Sequence, residues 1–245
     1  RVFHCPNGGD VARFAPTDAV ERSAIRRNLG LPEGDVLFLF AGVVDERKNV
    51  AWLVEQWTAY CARGGKGHLL IVGPISREDS GGAFFRSLSR RAGEAGLEGR
   101  MTMREYVERI EDYYRACDVF VLPSLGEGMP NAVLEAMACG LPVIATRTSG
   151  TTDMIAEGEN GYLFEPGDAA ALLGRLSDLA GDASRRDRIS ARARSMAEER
   201  FSIKAIADRY MALYGLGGSS GLGPGERDAS SDSGERASWV EAHRA

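Results

Sequence analysis

The sequence predicts an α/β fold in which helices cover both faces of a doubly wound parallel sheet. Strand-like and helix-like patterns alternate from residue 36 to about residue 200 of the 245-residue chain. The strand-like segments, such as Val36 to Ala41, are short and continuously apolar, which is typical of strands buried on both faces. Buried strands that alternate with helices indicate a parallel sheet.

The predicted elements follow one another closely along the chain. Strands are expected at Val36–Ala41, His68–Val72, Met101–Met103, Asp118–Leu122, Val143–Ala145 and Gly161–Phe164. Helices are expected at Val50–Cys61, Ala83–Ala95, Glu108–Ala116, around Asn131, near Asp153, and at Ala169–Ala180, Arg185–Glu199 and Ile203–Tyr214. Gly140 and Pro142 are expected to end the helix that begins near Asn131. The last two helices close the domain, and Ser202 is the expected N-cap of the second.

The chain is expected to divide into a domain over residues 1–214 and a tail over residues 215–245. The tail is rich in Gly, Ser, Asp, Glu and Arg, and Trp239 is its only aromatic residue after Tyr214. Such a segment buries too little apolar surface to offset the entropy lost on ordering, so disorder is expected. The chain opens with Arg1 inside a strand-like phrase, which indicates part of a longer protein.

Composition and charge argue against several partners and compartments. A net charge of −5 without a long basic run argues against nucleic acid or an anionic membrane as the main partner. No apolar run is long enough to span a bilayer, and the N-terminus lacks a signal-peptide pattern. The cysteines lack C-x-x-C spacing, and Cys61, Cys117 and Cys139 lie in apolar segments, as expected for core cysteines of a cytoplasmic protein.

The motifs of several enzyme classes are missing from the sequence. His4, His68 and His243 have no metal-ligand spacing, so no metal site is predicted, and His68 is expected to be a buried or strand-edge histidine. The sequence has no P-loop, no G-x-G-x-x-G after a strand and no G-x-S-x-G nucleophile elbow.

The segment Pro123–Thr146 carries the strongest site signal. A strand leads into a glycine-containing loop with Glu127, and a helix then begins near Asn131 and carries Glu135 one turn inside. Ionised carboxylates only accept hydrogen bonds, which suits sugar hydroxyls, and the free N–H groups around Asn131 and Ala132 suit a phosphate. The alternative is that Glu135 is an ordinary helix residue.

A second candidate site follows the first core strand. Gly42 allows a turn there, and Arg47 and Lys48 then precede a helix for which Asn49 is the expected N-cap. Two cations at the positive end of a helix dipole are unfavourable by about 0.3–1 kcal/mol each unless an anion offsets them. The anion is either a bound phosphate or the neighbouring Glu46.

A third loop, Thr146 to Asp153, also connects a strand to a helix. Its hydroxyl groups and Gly150 are suited to complete a phosphate or sugar pocket. The alternative is that they only cap the helix. All three loops follow the carboxyl ends of strands, which face the same way in a parallel sheet, so the three segments are expected to converge.

Four phrases resemble the donor-binding, C-terminal half of group 1 retaining glycosyltransferases with the two-domain GT-B fold. They are C-P-N-G-G-D-V-A-R-F-A-P from Cys5, E-G-M-P-N-A-V-L-E-A-M-A-C-G-L-P-V-I-A from Glu127, G-E-N-G-Y-L-F from Gly158, and R-F-S from Arg200. The resemblance covers about residues 1 to 214 and implies one Rossmann-like half of a GT-B fold with C-terminal closing helices.

The resemblance also implies roles for individual residues. Glu135 would bind the nucleotide ribose hydroxyls, Glu127 would lie against the donor sugar, and Lys48 would contact the diphosphate. Arg47 would substitute for an arginine that the family often has where Val43 stands. The backbone of the loop and helix start would approach the sugar and phosphates; these residues are Gly128, Met129, Pro130, Asn131 and Ala132.

The implied activity is transfer of a sugar from a nucleotide diphosphate to an acceptor, with retention of anomeric configuration. The acceptor would be a glycan, a lipid or a small molecule, and no cofactor is expected. An N-terminal domain of the same protein would supply the acceptor site, so the 245-residue chain would bind the donor but transfer sugar poorly. A GT-B sugar-nucleotide epimerase and a non-catalytic nucleotide-sugar-binding module remain as alternatives, and the base, sugar and acceptor stay open.

Overall fold

The computed structural model describes residues 6–76 and 82–215. The strands in these ranges are β1 (Leu37–Ala41), β2 (His68–Val72), β3 (Met101–Arg104), β4 (Val119–Leu122), β5 (Val143–Thr146) and β6 (Gly161–Phe164). They form one sheet of order β3-β2-β1-β4-β5-β6, in which every neighbouring pair is parallel. The predicted parallel α/β sheet is therefore confirmed.

The described helices alternate with the strands and then close the domain. They are α1 (Ala19–Leu29), α2 (Val50–Ala62), α3 (Ala83–Glu94), α4 (Ile110–Ala116), α5 (Asn131–Ala138), α6 (Ser149–Thr152), α7 (Ala169–Gly181), α8 (Ala183–Phe201) and α9 (Ile203–Leu213). None of these helices is long and apolar enough to cross a membrane. The chain forms two compact units, residues 1–210 and residues 211–245, and only the end of α9 and the two residues after it are described in the second.

The strand order places a topological switch point between β1 and β4. From β1 the chain winds outward through β2 to β3, and it then returns to β4 on the other side of β1 and continues to β6. Because parallel crossovers are right-handed, this reversal puts the two sets of helices on opposite faces of the sheet. Ligands of such sheets bind in the crevice at the carboxyl ends of the strands beside the switch point.

Large apolar side chains fill both faces of the sheet. All residues of β1, β2, β4, β5 and β6 are buried. Trp57 of α2 packs on Phe38, with ring centroids 5.4 Å apart, and Tyr114 of α4 packs on Phe120 at 5.8 Å. These contacts hold α2 and α4 against the two strands that flank the switch point.

Several local predictions are confirmed at the level of single residues. Gly140 has a φ of 73°, in the left-handed region, at the end of α5. The Ser202 hydroxyl accepts a hydrogen bond from the N–H of Ala205 at 3.2 Å, as expected of an N-cap. His68 is buried and bonds through its ring nitrogens to the Gly99 carbonyl and the Thr102 hydroxyl.

The cysteine predictions are confirmed for two side chains. Cys117 and Cys139 are buried, whereas Cys61 is only half-buried. Cys5 and the predicted tail beyond Gly215 lie outside the described residues.

Other predictions need correction. Helix α1 was not predicted, although Asp18 accepts a hydrogen bond from the Glu21 N–H at its start and Gly30 takes a left-handed conformation at its end. The short helix expected near Asp153 is, by contrast, confirmed at Ser149–Thr152, where Thr148 caps its start and Asp153 follows its end. Asn49 stands at the N-cap position of α2, but it has a left-handed φ of 56° and its side chain caps nothing.

Candidate functional site

The loop after β1 forms the first wall of the crevice at the switch point. The Gly42 N–H donates to the Val72 carbonyl at 3.0 Å, and the Val44 N–H donates to the Pro74 carbonyl at 2.9 Å. A Cβ atom at Gly73 would lie 1.8 Å from the Gly42 carbonyl oxygen, so Gly73 has to be a glycine for the two loops to meet. Sequence reasoning assigned a turn to Gly42 and missed Gly73.

Asp45 shapes the turn that carries the two cations. Its carboxylate accepts a hydrogen bond from the Lys48 backbone N–H at 2.7 Å, which closes the turn ahead of α2. Asn49 follows in the left-handed region, and α2 then begins at Val50. This local geometry places Lys48 immediately before the N-terminus of α2.

The loop after β4 forms the facing wall and is bonded directly to the first. The Leu125 N–H donates to the Arg47 carbonyl at 3.0 Å, and the Arg47 guanidinium donates to the Gly126 carbonyl at 3.3 Å. The Thr146 hydroxyl at the end of β5 also donates to the Ser124 carbonyl. Three strand ends therefore fix one loop.

An ion pair joins the two walls. Lys48 Nζ lies 2.5 Å from Glu127 Oε1, and the Arg47 guanidinium lies 3.6 Å from the same oxygen. The side chains of Glu127 and Lys48 are 8% and 12% exposed, whereas that of Arg47 is 56% exposed. The carboxylate that neutralises Lys48 is therefore Glu127, from the facing loop, and not Glu46 as the alternative held.

Gly150 holds the Glu127 loop in place through a backbone hydrogen bond and a close backbone contact. Its N–H donates to the Glu127 carbonyl at 3.1 Å, and the Ser149 hydroxyl reaches the same oxygen at 3.2 Å. A Cβ atom at Gly150 would lie 2.0 Å from the Gly128 carbonyl oxygen. The N-terminus of α6 therefore holds the loop by direct backbone contact, and Gly150 acts on the site through Glu127 and Gly128.

The start of α5 leaves donors free beside the ion pair. Pro130 occupies the N-cap position without a side-chain cap, and the N–H groups of Asn131 and Ala132 have no partner within residues 6–76 and 82–215. Gly128 and Asn131 are exposed, whereas Met129 and Ala132 are half-buried. Unpaired N–H groups at the positive end of a helix form a favourable position for an anion.

The segment before α1 also reaches this helix start. The backbone N–H of Asn7 lies 3.0 Å from the Met129 sulfur, and the Asn7 amide nitrogen lies 3.4 Å from the Asn131 side-chain oxygen. The phrase that opens the domain is thus adjacent to the second wall of the crevice.

Glu135 lies one turn further along α5 and has its own partner. The Tyr114 hydroxyl donates to Glu135 Oε2 at 2.8 Å. Burial raises the pKa of Glu135 above its usual range, while the Tyr114 hydrogen bond and the Arg13 charge act in the opposite direction. The pKa of Tyr114 is also raised, first by its complete burial and then by the neighbouring Glu135. Sequence reasoning identified Glu135 and missed Tyr114.

The arrangement supplies cations, hydrogen-bond donors and carboxylate acceptors around one crevice. Such a set can bind a phosphorylated ligand that also carries hydroxyl groups. Within the described ranges, no three His, Cys, Asp or Glu side chains are grouped closely enough to hold a metal ion.

The sequence matches a known family over the part of the chain that forms this crevice. Residues 35–182 match the family described as "Glycosyl transferases group 1". A curated relative, D-inositol 3-phosphate glycosyltransferase of Xylanimonas cellulosilytica, is 33% identical over 219 residues, which are 87% of this chain and 51% of that protein. The chain therefore spans about half the length of the curated relatives it matches.

Solved structures agree with this match. Sucrose-phosphate synthase from Thermosynechococcus elongatus superposes with a TM-score of 0.73 at 30% identity, over 86% of this chain and 51% of that chain. Anabaena HepE in complex with UDP superposes with a TM-score of 0.77 at 22% identity, over 86% of this chain and 56% of that chain. The first agrees in sequence and fold and the second in fold alone, and both bear out the resemblance to one half of a GT-B fold. The chain belongs to the group 1 glycosyltransferases.

Proposed function

We propose that the chain binds a nucleotide-diphosphate sugar in the crevice between β1 and β4 and acts as the donor-binding part of a retaining glycosyltransferase. The observation that carries the proposal is that Lys48 and Arg47 lie against Glu127 at the switch point, and that Glu127 belongs to the loop that leads directly into the uncapped N-terminus of α5. HepE, a structural neighbour, was crystallised with UDP, which makes UDP one of the nucleotides to test.

The proposed binding mode assigns each wall a part of the donor. The diphosphate would lie between Lys48 and the N-terminus of α5, where cationic and N–H donors face one anion. Glu135 would accept hydrogen bonds from the ribose hydroxyls, and Glu127 would lie beside the sugar. The backbone from Gly128 to Ala132 would enclose the sugar and phosphates.

The same groups would assist bond cleavage. As the bond between the sugar C1 and the phosphate oxygen breaks, negative charge grows on the leaving nucleoside diphosphate. Once the donor is bound, Lys48, Arg47 and the α5 N–H groups would be in place before this charge develops, which is how electrostatic stabilisation lowers a barrier. The proposed chemistry therefore takes its positive charge from side chains and requires no metal cofactor.

Lys48 has to change partners when the donor binds. In the ligand-free chain its ammonium is paired with Glu127. A diphosphate carries more charge than one carboxylate, so it would compete for Lys48 and leave Glu127 free to approach the sugar. Retention of configuration belongs to this proposal because the resemblance is to retaining group 1 glycosyltransferases.

The test is calorimetric titration of the chain with UDP, GDP and ADP. We expect one nucleotide to bind, and we expect Lys48→Ala to weaken its binding by about tenfold or more, as for loss of a charged hydrogen bond. Lys66→Ala is the matched control, because Lys66 lies just before β2, at the amino-terminal ends of the strands and so on the side of the sheet away from the crevice. Absence of binding by all three nucleotides, or equal effects of the two lysine variants, would contradict the proposal.

A further inference from the structure

We propose that Tyr114 is a positioning residue that holds one oxygen of Glu135, so that the carboxylate presents its other acceptor sites to two adjacent hydroxyl groups of the bound nucleotide. This inference rests on the proposed function, because it concerns how the same crevice selects a ribose.

The geometry of Tyr114 suits a fixed donor. Its side chain is fully buried, and its hydroxyl donates to Glu135 Oε2 at 2.8 Å. Its ring packs edge-on against Phe14, with centroids 5.6 Å apart and planes at 87°, and packs on Phe120 at 5.8 Å. Contacts from two sides restrict the ring, and they keep its hydroxyl beside Glu135.

Glu135 needs such a partner. It is only half-buried, and a glutamate side chain has several rotatable bonds that would have to be ordered when a ligand binds. Ordering it before binding removes that cost from the binding step. A carboxylate has about four acceptor positions, and Tyr114 occupies one of them. Oε1 has no hydrogen-bond partner within the described residues, so enough acceptors remain for two hydroxyls.

The surroundings of Glu135 contain few other charges that can replace this bond. Within the described residues, the charged and titratable groups on the elements packed around this part of α5 are Arg13, Glu111, Tyr114, Arg115, Cys117, Cys139 and Arg194. Arg115 donates to the Ala15 and Arg13 carbonyls. Arg13 is engaged with Glu111 at 3.0 Å, and Arg194 donates to the Ala138 carbonyl. Tyr114 is therefore the group that bonds Glu135 directly.

Removing the hydroxyl should affect binding in a pH-dependent way. Tyr114→Phe keeps the ring but removes a bond to the ionised form of Glu135, so the already raised pKa of Glu135 should rise further. At high pH the variant loses only the orientation of the carboxylate. As the pH falls, Glu135 becomes protonated earlier in the variant than in the wild type. The ratio of the two dissociation constants should therefore grow as the pH falls, whereas a purely structural defect would change affinity by a similar factor throughout.

The experiment is titration of the 245-residue chain with UDP, GDP and ADP over a pH series that runs from about pH 8 down to the ordinary glutamate pKa of about 4.3, above which the raised pKa of Glu135 lies. For the nucleotide that binds, we expect Tyr114→Phe to weaken binding about tenfold, the effect of one charged hydrogen bond, with a larger loss at the acid end. Tyr60→Phe is the matched control, because it also removes a buried hydroxyl, one that donates to the Lys66 carbonyl far from the crevice.

A second background isolates the role of the carboxylate. In Glu135→Gln the group no longer ionises, so adding Tyr114→Phe should cause no further pH-dependent loss. Wild-type affinity of Tyr114→Phe at every pH, or the same pH-dependent loss in the Glu135→Gln background, would overturn the inference while leaving the proposed function intact. If Glu135→Ala itself binds nucleotide as the wild type does, or if no nucleotide binds, the proposed function fails and the inference fails with it.

Discussion

At the scale of single residues, the site is organised by two carboxylates with different partners. Glu127 is paired with Lys48 across the crevice, whereas Glu135 is bonded to a buried tyrosine. In the proposed binding mode, the first carboxylate would compete with an anionic ligand for a cation, and the second would be held in place to accept hydrogen bonds from the ribose. The two glutamates should therefore respond differently when their charge is removed.

Removing the charge of Glu127 should strengthen nucleotide binding while it weakens the fold. Glu127→Gln leaves Lys48 without its counter-ion, and losing one partner of a largely buried pair costs about 3 kcal/mol in the free energy of unfolding. The unpaired ammonium should then bind the diphosphate several times more tightly. Chemical denaturation and calorimetry measure the two effects. The control is Glu55→Gln, which breaks the exposed pair with Arg91 and should change stability by no more than about 1 kcal/mol. Weaker nucleotide binding in Glu127→Gln would contradict the competition.

Removing the charge of Glu135 should stabilise the ligand-free protein at neutral pH. Because burial raises its folded-state pKa, the folded state binds more protons than the unfolded state between the ordinary pKa and the raised one. Stability from this group is therefore lost as the pH rises through that window. Glu135→Gln should have a higher free energy of unfolding than the wild type above the window, and the difference should vanish below it. Urea denaturation over a pH series measures this, and a destabilised Glu135→Gln protein at neutral pH would rule out the effect.

At the scale of secondary-structure elements, three strand–loop–helix units are bonded to one another at the carboxyl edge. The loops after β1 and β4 exchange hydrogen bonds through Arg47, Leu125 and Gly126, and α6 holds the second loop through Gly150. The positions of Lys48 and Glu127 thus depend on backbone contacts between loops that are far apart in sequence. Small changes in backbone packing should therefore shift Lys48 and Glu127 and alter nucleotide binding.

Gly150→Ala should reduce nucleotide binding through the backbone alone. The new methyl group would lie 2.0 Å from the Gly128 carbonyl oxygen, so the loop has to move away from α6. We expect about 1–3 kcal/mol of destabilisation, as for overpacked positions, together with weaker nucleotide binding. Gly174→Ala is the control, since a Cβ there meets nothing within 4 Å and alanine favours the helix. Thermal unfolding and calorimetry of both variants measure this, and unchanged binding in Gly150→Ala would show that the loop tolerates the shift.

An element could be predicted from the sequence when adjacent residues encode it, and it was missed when contacts distant in sequence hold it in place. The strands, the helix at Asn131 and the cap at Ser202 were predicted because each is encoded by a few adjacent residues. Helix α1 was missed because its apolar face is small: Ile25 and Leu29 are only partly buried against the core, and Arg26 is the one residue of the helix that is fully buried. Arg26 is held instead by the Ala116 carbonyl and by Asp118, which are distant in sequence.

The same reasoning applies to the candidate site. Lys48, Glu127 and Glu135 were identified from loop positions and from the family resemblance. Their partners were not, because the Lys48–Glu127 and Tyr114–Glu135 contacts join separate elements. Gly73 follows β2 just as Gly42 follows β1, and this parallel could have revealed it.

At the scale of the whole molecule, the crevice belongs to a chain that spans about half the length of its curated relatives. We expect the 245-residue chain to bind the donor and to transfer sugar slowly or not at all, because acceptor groups would lie in another domain. Product analysis after incubation with nucleotide sugar, with and without candidate acceptors, measures this. Rapid transfer by the chain alone would contradict the expectation, and an epimerised nucleotide sugar formed without acceptor would indicate a different reaction.

The measurement that tests the central claim most directly is a crystal structure of the chain with the nucleoside diphosphate that binds it. We predict that the diphosphate lies between Lys48 and the N-terminus of α5, that Lys48 has left Glu127 for a phosphate oxygen, and that the ribose hydroxyls donate to Glu135. A nucleotide bound elsewhere, or one that leaves the Lys48–Glu127 pair closed and Glu135 without contact, would contradict the account.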